Sequence, residues 1–183
     1  MIDTKQLAKQ SLLPVPSQRR SGEKNLGVKF IVAHDTGTVN ADAKNNASYY
    51  TTSCYDMQAS AHYFVDDIGA ICCIPEDEKA WHVRYTSPVD NQLYGGDAND
   101  ISLGIELCYF ADLKRSKNAY TNYVALIAIL CSKYGIEPSR GIVGHSKLDP
   151  TRRTDPENAF NKIGKTWKIF IDDVTKHLKS MTA

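Results

Sequence analysis

The chain predicts an α/β fold with a central mixed β-sheet flanked by helices, and three observations predict it. Two runs rich in β-formers, GVKFIVA at 27–33 and ISLGIELCYF at 101–110, read as buried strands. Tyr123, Ile127, Leu130 and Tyr134 recur at helical spacing, as do Ile163, Trp167, Phe170, Val174 and Leu178 near the C-terminus. Strands interspersed with such helices bury both kinds of apolar face only when helices cover a sheet.

Taken in order, Asp3 caps a short helix through Leu12, ended by Pro14 and Pro16, so that 1–26 form an N-terminal helical extension. Gly27 to Ala33 form the first strand, and the polar loop HDTGT follows it. NADAKNNASYYTT at 40–52 is weakly helical. SAHYFVDD alternates, and Gly69 separates it from AICCIP, giving a strand pair around a turn. Residues 78–100 read mostly as loop, punctuated by Pro88, Gly95 and Gly96. ISLGIELCYF is the next strand. A helix covers Asn118 to Tyr134 and stops at Gly135. Arg140 to Val143 make a short strand, and a single last helix runs from about Phe160 to Lys179.

With 183 residues and no repeat or long linker, the chain is expected to be one domain over 1–183. Its 42% hydrophobic and 23% charged residues are those of an ordinary globular protein. The 22 basic residues nearly balance the 21 acidic ones, so no nucleic-acid partner is expected. No apolar run approaches the ~20 residues of a membrane span, and none is expected to insert. The first twenty residues lack the apolar core of a signal peptide, so the protein is expected to be made in the cytoplasm. Cys54, Cys72, Cys73, Cys108 and Cys131 are odd in number and lack metal-knuckle spacing, so no disulfide framework is indicated; Cys108 and Cys131 sit inside apolar segments, which favours buried reduced thiols there.

The chemistry concentrates in few residues. His34 leaves a buried strand, where the backbone fixes its position, although a histidine can simply end a strand. GHSKLDPTRRTDP at 144–156 sets His145 ten residues before Asp155 on a loop stiffened by two prolines. Two imidazoles and a carboxylate are a common catalytic zinc set with one open position. Equally, Asp155 can pair with Arg152 or Arg153, a surface contact of little energetic weight. Glu106, within the strand GIEL, either faces outward by alternation or faces inward and carries a raised pKa. Arg153 is either a solvated loop charge or an oxyanion-stabilising one. His62 and His82 can orient a ligand or bind substrate, and Trp81 offers a face for sugar stacking, with core packing as the plain alternative for each.

Five of these segments, VAHDTGT, SAHYFVDDIGAI, KAWHV, ISLGIEL and GHSKLDPTRRTDP, stand in the order found in the type 2 N-acetylmuramoyl-L-alanine amidases. The chain resembles that family from about Val28 to Phe160. The resemblance implies a zinc-dependent enzyme acting on bacterial peptidoglycan, with His34, His145 and Asp155 as metal ligands. It implies Glu106 as the acid–base residue for the attacking water. Arg153 stands where many relatives carry lysine, and the two cations differ in shape and hydration. Ala61 stands where some relatives have a tyrosine; Tyr63 lies two positions on and is not assigned that role. The bond cut would join the muramic acid lactyl group to L-alanine. The setting expected is a phage or prophage endolysin, monomeric, that reaches the wall after release at lysis. The alternatives are a cytosolic muropeptide-recycling amidase and a non-catalytic peptidoglycan-binding module.

Overall fold

A computed structural model describes residues 8–85 and 88–182. Six strands form one mixed sheet: β1 (Ala8–Gln10), β2 (Phe30–Val39), β3 (Tyr63–Val65), β4 (Ala70–Cys72), β5 (Ser102–Tyr109) and β6 (Ile142–Gly144). Their order across the sheet is β1-β4-β3-β5-β2-β6. Only the β3–β4 hairpin is antiparallel; the other neighbours are parallel. The helices are α1 (Ala43–Thr52), α2 (Pro88–Tyr94), α3 (Ala98–Ile101), α4 (Leu113–Tyr134), α5 (Pro138–Gly141), α6 (His145–Leu148), α7 (Glu157–Lys162) and α8 (Trp167–Thr182). Among the described residues no helix is long and apolar enough to cross a membrane. All five cysteines are free and buried, Cys108 and Cys131 as their apolar segments indicate.

Strand alternation explains where the site lies. Ile31 and Ala33 of β2 and Leu103, Ile105 and Leu107 of β5 belong to the large core cluster shared with α4 and α8. Phe30 and Val32 face the other way, into a smaller cluster with Ala98, Ile101, Val143 and Leu148. Because side chains alternate along a strand, His34 falls on the second face, in line with Phe30 and Val32. Ser102, Gly104 and Glu106 fall on that face from β5. The parallel register sets His34 directly opposite Glu106.

The long helix α4 holds these strands from behind. Asp112 caps it, accepting from the Lys114 and Arg115 N–H groups at 2.7 and 3.0 Å. Gly135, at φ 64°, ends it in the left-handed conformation. The helix therefore starts earlier than its apolar spacing indicates, because the cap lies outside the periodic region. Its Tyr123 hydroxyl reaches between β2 and β5, accepting from the His34 N–H at 3.1 Å and donating to the Ile105 carbonyl at 3.0 Å. That contact pins the backbone beneath both His34 and Glu106.

Several expectations need correction, among them the strand at 140–143, of which Arg140 and Gly141 belong to α5. Residues 8–10 are a strand, not part of a helix: β1 pairs with β4, and the Ser11 and Leu13 N–H groups continue the bonding to the Cys72 and Cys73 carbonyls at 2.9 and 3.0 Å. The part of that helix before Ala8 lies outside the described residues. The HDTGT loop is the continuation of β2, which runs to Val39 with a register shift after Asp35. The segment 78–100 carries the short helices α2 and α3. The last helix is two, because Gly164 takes φ 69° between α7 and α8 and breaks the ladder.

The stretch after β1 is anchored by charge. Arg19, fully buried, donates to the Ser53 carbonyl at 3.1 Å and to the Ala59 carbonyl, and its guanidinium lies 4.2 Å from the Tyr50 ring centre. Arg20 makes a two-pronged bond to Glu78 at 2.7 and 2.8 Å. Buried cations of this kind persist only when fully hydrogen-bonded.

Candidate metal centre and cleft

A cleft of about 560 Å³ opens over the second sheet face, and its floor holds His34, His145, Asp155, His82 and Glu106. Each arrives by a different local device. His34 is fixed by the strand. His145 begins α6 immediately after β6, and its carbonyl accepts the Asp149 N–H at 2.9 Å. The loop from Asp149 to Asp155 folds back so that the Asp155 carbonyl accepts the Ser146 N–H at 2.9 Å. From the other side, Asp35 accepts the Ala159 N–H at 3.2 Å and the Asn158 side-chain amide at 3.3 Å, tying α7 to β2.

The loop thereby returns Asp155 to the histidines. Its Oδ2 lies 2.9 Å from His34 Nδ1 and 3.1 Å from His145 Nδ1. Donor atoms of all three residues lie within 4.8 Å of one another, and all three residues are buried. The alternative pairing of Asp155 with an arginine does not occur: Arg152 binds Asp149 instead, with its Nε at 2.7 Å. His145 Nε2 and Glu106 Oε2 are buried without a partner. Two imidazoles and a carboxylate converging beside unsatisfied polar atoms are the donor set that zinc prefers, so the residues fit such an ion.

Burial shapes the charges. It lowers the His34 pKa to about 4, against the opposing pull of Asp155. It pushes Glu106 well above the usual carboxylate range, helped by the negative charges of Asp155 and Asp35. Burial works to raise Asp155 too, but its bonds to His145 and His34 outweigh this and hold it below the ordinary value. Glu106 lines the cleft, and burial there disfavours its charged form.

The remaining candidates separate. Trp81 and His82 line the cleft, as does the exposed Arg153 at its mouth. His82 is buried and sits 3.1 Å from His34 Nε2 through its Nδ1. Trp81 makes an edge contact with Tyr85 and carries the Lys79 ammonium 4.6 Å from its ring centre. His62 does not line the cleft. Its Nδ1 accepts the Gly104 N–H at 3.0 Å, so Nε2 carries the proton donated to the Glu78 carbonyl at 3.0 Å. Tyr50, whose half-buried ring lines the cleft wall beside Glu106, and Ser102 carry no motif signal in the sequence that marks them as site residues. Alternation along ISLGIEL nonetheless places Ser102 on the same face as Glu106, four residues before it.

A structural role for His62 has a measurable signature. His62→Ala leaves a buried N–H and a buried carbonyl unpaired and is expected to cost about 2–4 kcal/mol of stability. Cleft chemistry of the folded fraction should be unaffected. Burial also depresses the His62 pKa from 6.5 to about 4. Unfolded protein then binds the extra proton first, so stability is full above about pH 6.5 and falls as pH drops toward 4. Thermal melts across that window should decline less steeply for His62→Ala than for the parent.

Comparison with known proteins agrees with this geometry. The Amidase_2 family model, described as N-acetylmuramoyl-L-alanine amidase, matches residues 24–158. The N-acetylmuramoyl-L-alanine amidase BlyA of Bacillus subtilis is 34% identical over 154 residues, covering 80% of this chain and 41% of BlyA. The 1,6-anhydro-N-acetylmuramyl-L-alanine amidase AmpD of Salmonella typhimurium is 30% identical, over 74% of this chain and 68% of AmpD. A solved structure of a mutant endolysin from Bacillus subtilis superposes with a TM-score of 0.71 at 25% identity, covering 95% of this chain and 99% of that one. The chain thus spans well under half the length of BlyA. With its model matched from β2 through β6 and over every candidate ligand, the chain belongs to the N-acetylmuramoyl-L-alanine amidase family.

Proposed function

We propose that the protein is a zinc-dependent peptidoglycan hydrolase that cleaves the amide between N-acetylmuramic acid and L-alanine. The observation that carries this reading is the convergence of His34, His145 and Asp155 within 4.8 Å, beside the unpartnered Glu106 carboxylate oxygen. Zinc held by these three residues would supply Lewis acidity, bringing the pKa of a water toward ~7 and polarising the substrate carbonyl. Glu106 takes the proton of the attacking water at its free Oε2 and returns it to the leaving L-alanine nitrogen. Its raised pKa suits that donor half of the cycle. Arg153 brings a fixed positive charge over the developing oxyanion from the cleft mouth. Trp81 and Tyr50 give the cleft walls apolar faces against a sugar or stem peptide.

The setting we favour is a phage or prophage endolysin, acting as a monomer on the wall after release at lysis. Similarity to a solved endolysin over nearly the whole chain supports it. A muropeptide-recycling role is the second reading, favoured by the larger share of AmpD that the chain covers. A binding module without catalysis is disfavoured by the presence of all three donors together with Glu106.

Incubating the protein with purified walls tests the reaction. The expected products are new amino-terminal alanine without new reducing sugar, lost with a chelator and restored by zinc. New reducing ends would make the enzyme a glycosidase, and bound but intact walls would make it a binding module. Faster cleavage of soluble anhydro-muropeptides than of walls would move the assignment to recycling.

A further inference from the structure

The hydrogen bonds behind His34 form a chain whose polarity can be read from proton counting. Ser102 Oγ donates to the Ala98 carbonyl at 2.6 Å, which uses its only proton. Toward His82 Nε2, at 3.3 Å, Ser102 can then only accept, so His82 carries its proton on Nε2. His82 Nδ1 is left as an acceptor and takes the proton of His34 Nε2 at 3.1 Å. His34 Nδ1 faces Asp155 Oδ2 at 2.9 Å, on the side where a metal would lie, and its lone pair would go to that ion. In the other arrangement His34 Nδ1–H donates to Asp155 and no proton lies between Ser102 Oγ and His82 Nε2; a metal that took the His34 Nδ1 lone pair would select the first arrangement.

The fold builds this chain with some care for position. Gly104, between Ser102 and Glu106 on the same face, has no side chain, and a Cβ there would lie 2.5 Å from the His82 ring. Asn99, fully buried in α3, accepts the His82 and Val83 N–H groups at 2.9 and 3.1 Å and so clamps the His82 backbone. Three residues with no access to substrate thus place one imidazole behind another.

We infer that His82 and Ser102 are positioning residues that hold His34 with its proton on Nε2 and present Nδ1 as the metal donor. This inference rests on the zinc reading above. It removes His82 from the substrate-binding set and makes it the partner that orients a ligand. Partners of this kind typically alter metal affinity 10–100-fold when removed.

The test uses the whole protein, with zinc affinity measured by competition against a chromophoric chelator. Ser102→Ala should bind zinc about tenfold more weakly, with Ser102→Thr restoring most of the loss because it keeps the hydroxyl. A second measurement does not depend on a variant folding. In ¹⁵N-labelled protein loaded with ¹¹³Cd, His34 should show metal coupling to Nδ1 and a proton on Nε2. Coupling at Nε2, or unchanged zinc affinity in a folded Ser102→Ala, would overturn the inference while leaving the zinc site intact. A parent protein that takes up no zinc or cadmium would overturn both.

Discussion

Replacing Glu106 with Gln should abolish wall cleavage while leaving metal uptake unchanged. The substitution keeps the shape of the side chain and removes only its capacity to take up and release a proton. Glu106 lies opposite His34 in the β2–β5 register but is not among the three clustered donors. Positioned acid–base groups contribute about 10²–10⁴ in rate, so turnover should fall by at least that range. Because Glu106 Oε2 has no partner to lose, the variant should also be as stable as the parent or slightly more so, since a buried carboxyl is replaced by a neutral amide. Rate loss without stability loss separates a chemical role from a structural one. Near-normal cleavage by Glu106→Gln would remove Glu106 from the mechanism.

Asp155→Ala should have the complementary outcome: loss of metal first, and loss of activity as its consequence. Asp155 Oδ2 is the atom that both His34 Nδ1 and His145 Nδ1 face. Removing it deletes one of three donors and the only negative charge among them. The fall in zinc affinity should exceed the 10–100-fold typical of outer partners, leaving purified protein with little bound zinc. Excess zinc should rescue it poorly, whereas it cannot rescue Glu106→Gln at all. Zinc content and turnover measured on the two variants therefore form a two-by-two pattern that a shared structural defect would not produce.

Much of this was legible in the sequence, for identifiable reasons. The strands around His34 and Glu106 stood out because apolar β-formers and alternation are local signals. The ten-residue spacing of His145 and Asp155 left a shared site and a local arginine pairing both open, and the loop does bring the two together. What was not legible depended on distant pairing. β1 is only three residues long and exists because β4, some sixty residues away, offers it an edge. The break between α7 and α8 was hidden because Ile163 and Trp167 keep helical spacing across Gly164. His62 and His82 look alike in the sequence. Their environments diverge because His62 meets two backbone groups while His82 meets another imidazole.

The most direct test of the account is the mass of the intact protein measured under native conditions after exposure to zinc. One zinc ion per chain in the parent and in Glu106→Gln, and none retained by Asp155→Ala, is the predicted result. A parent protein that cleaves walls with no metal bound, or an Asp155→Ala variant that holds zinc as tightly as the parent, would contradict it.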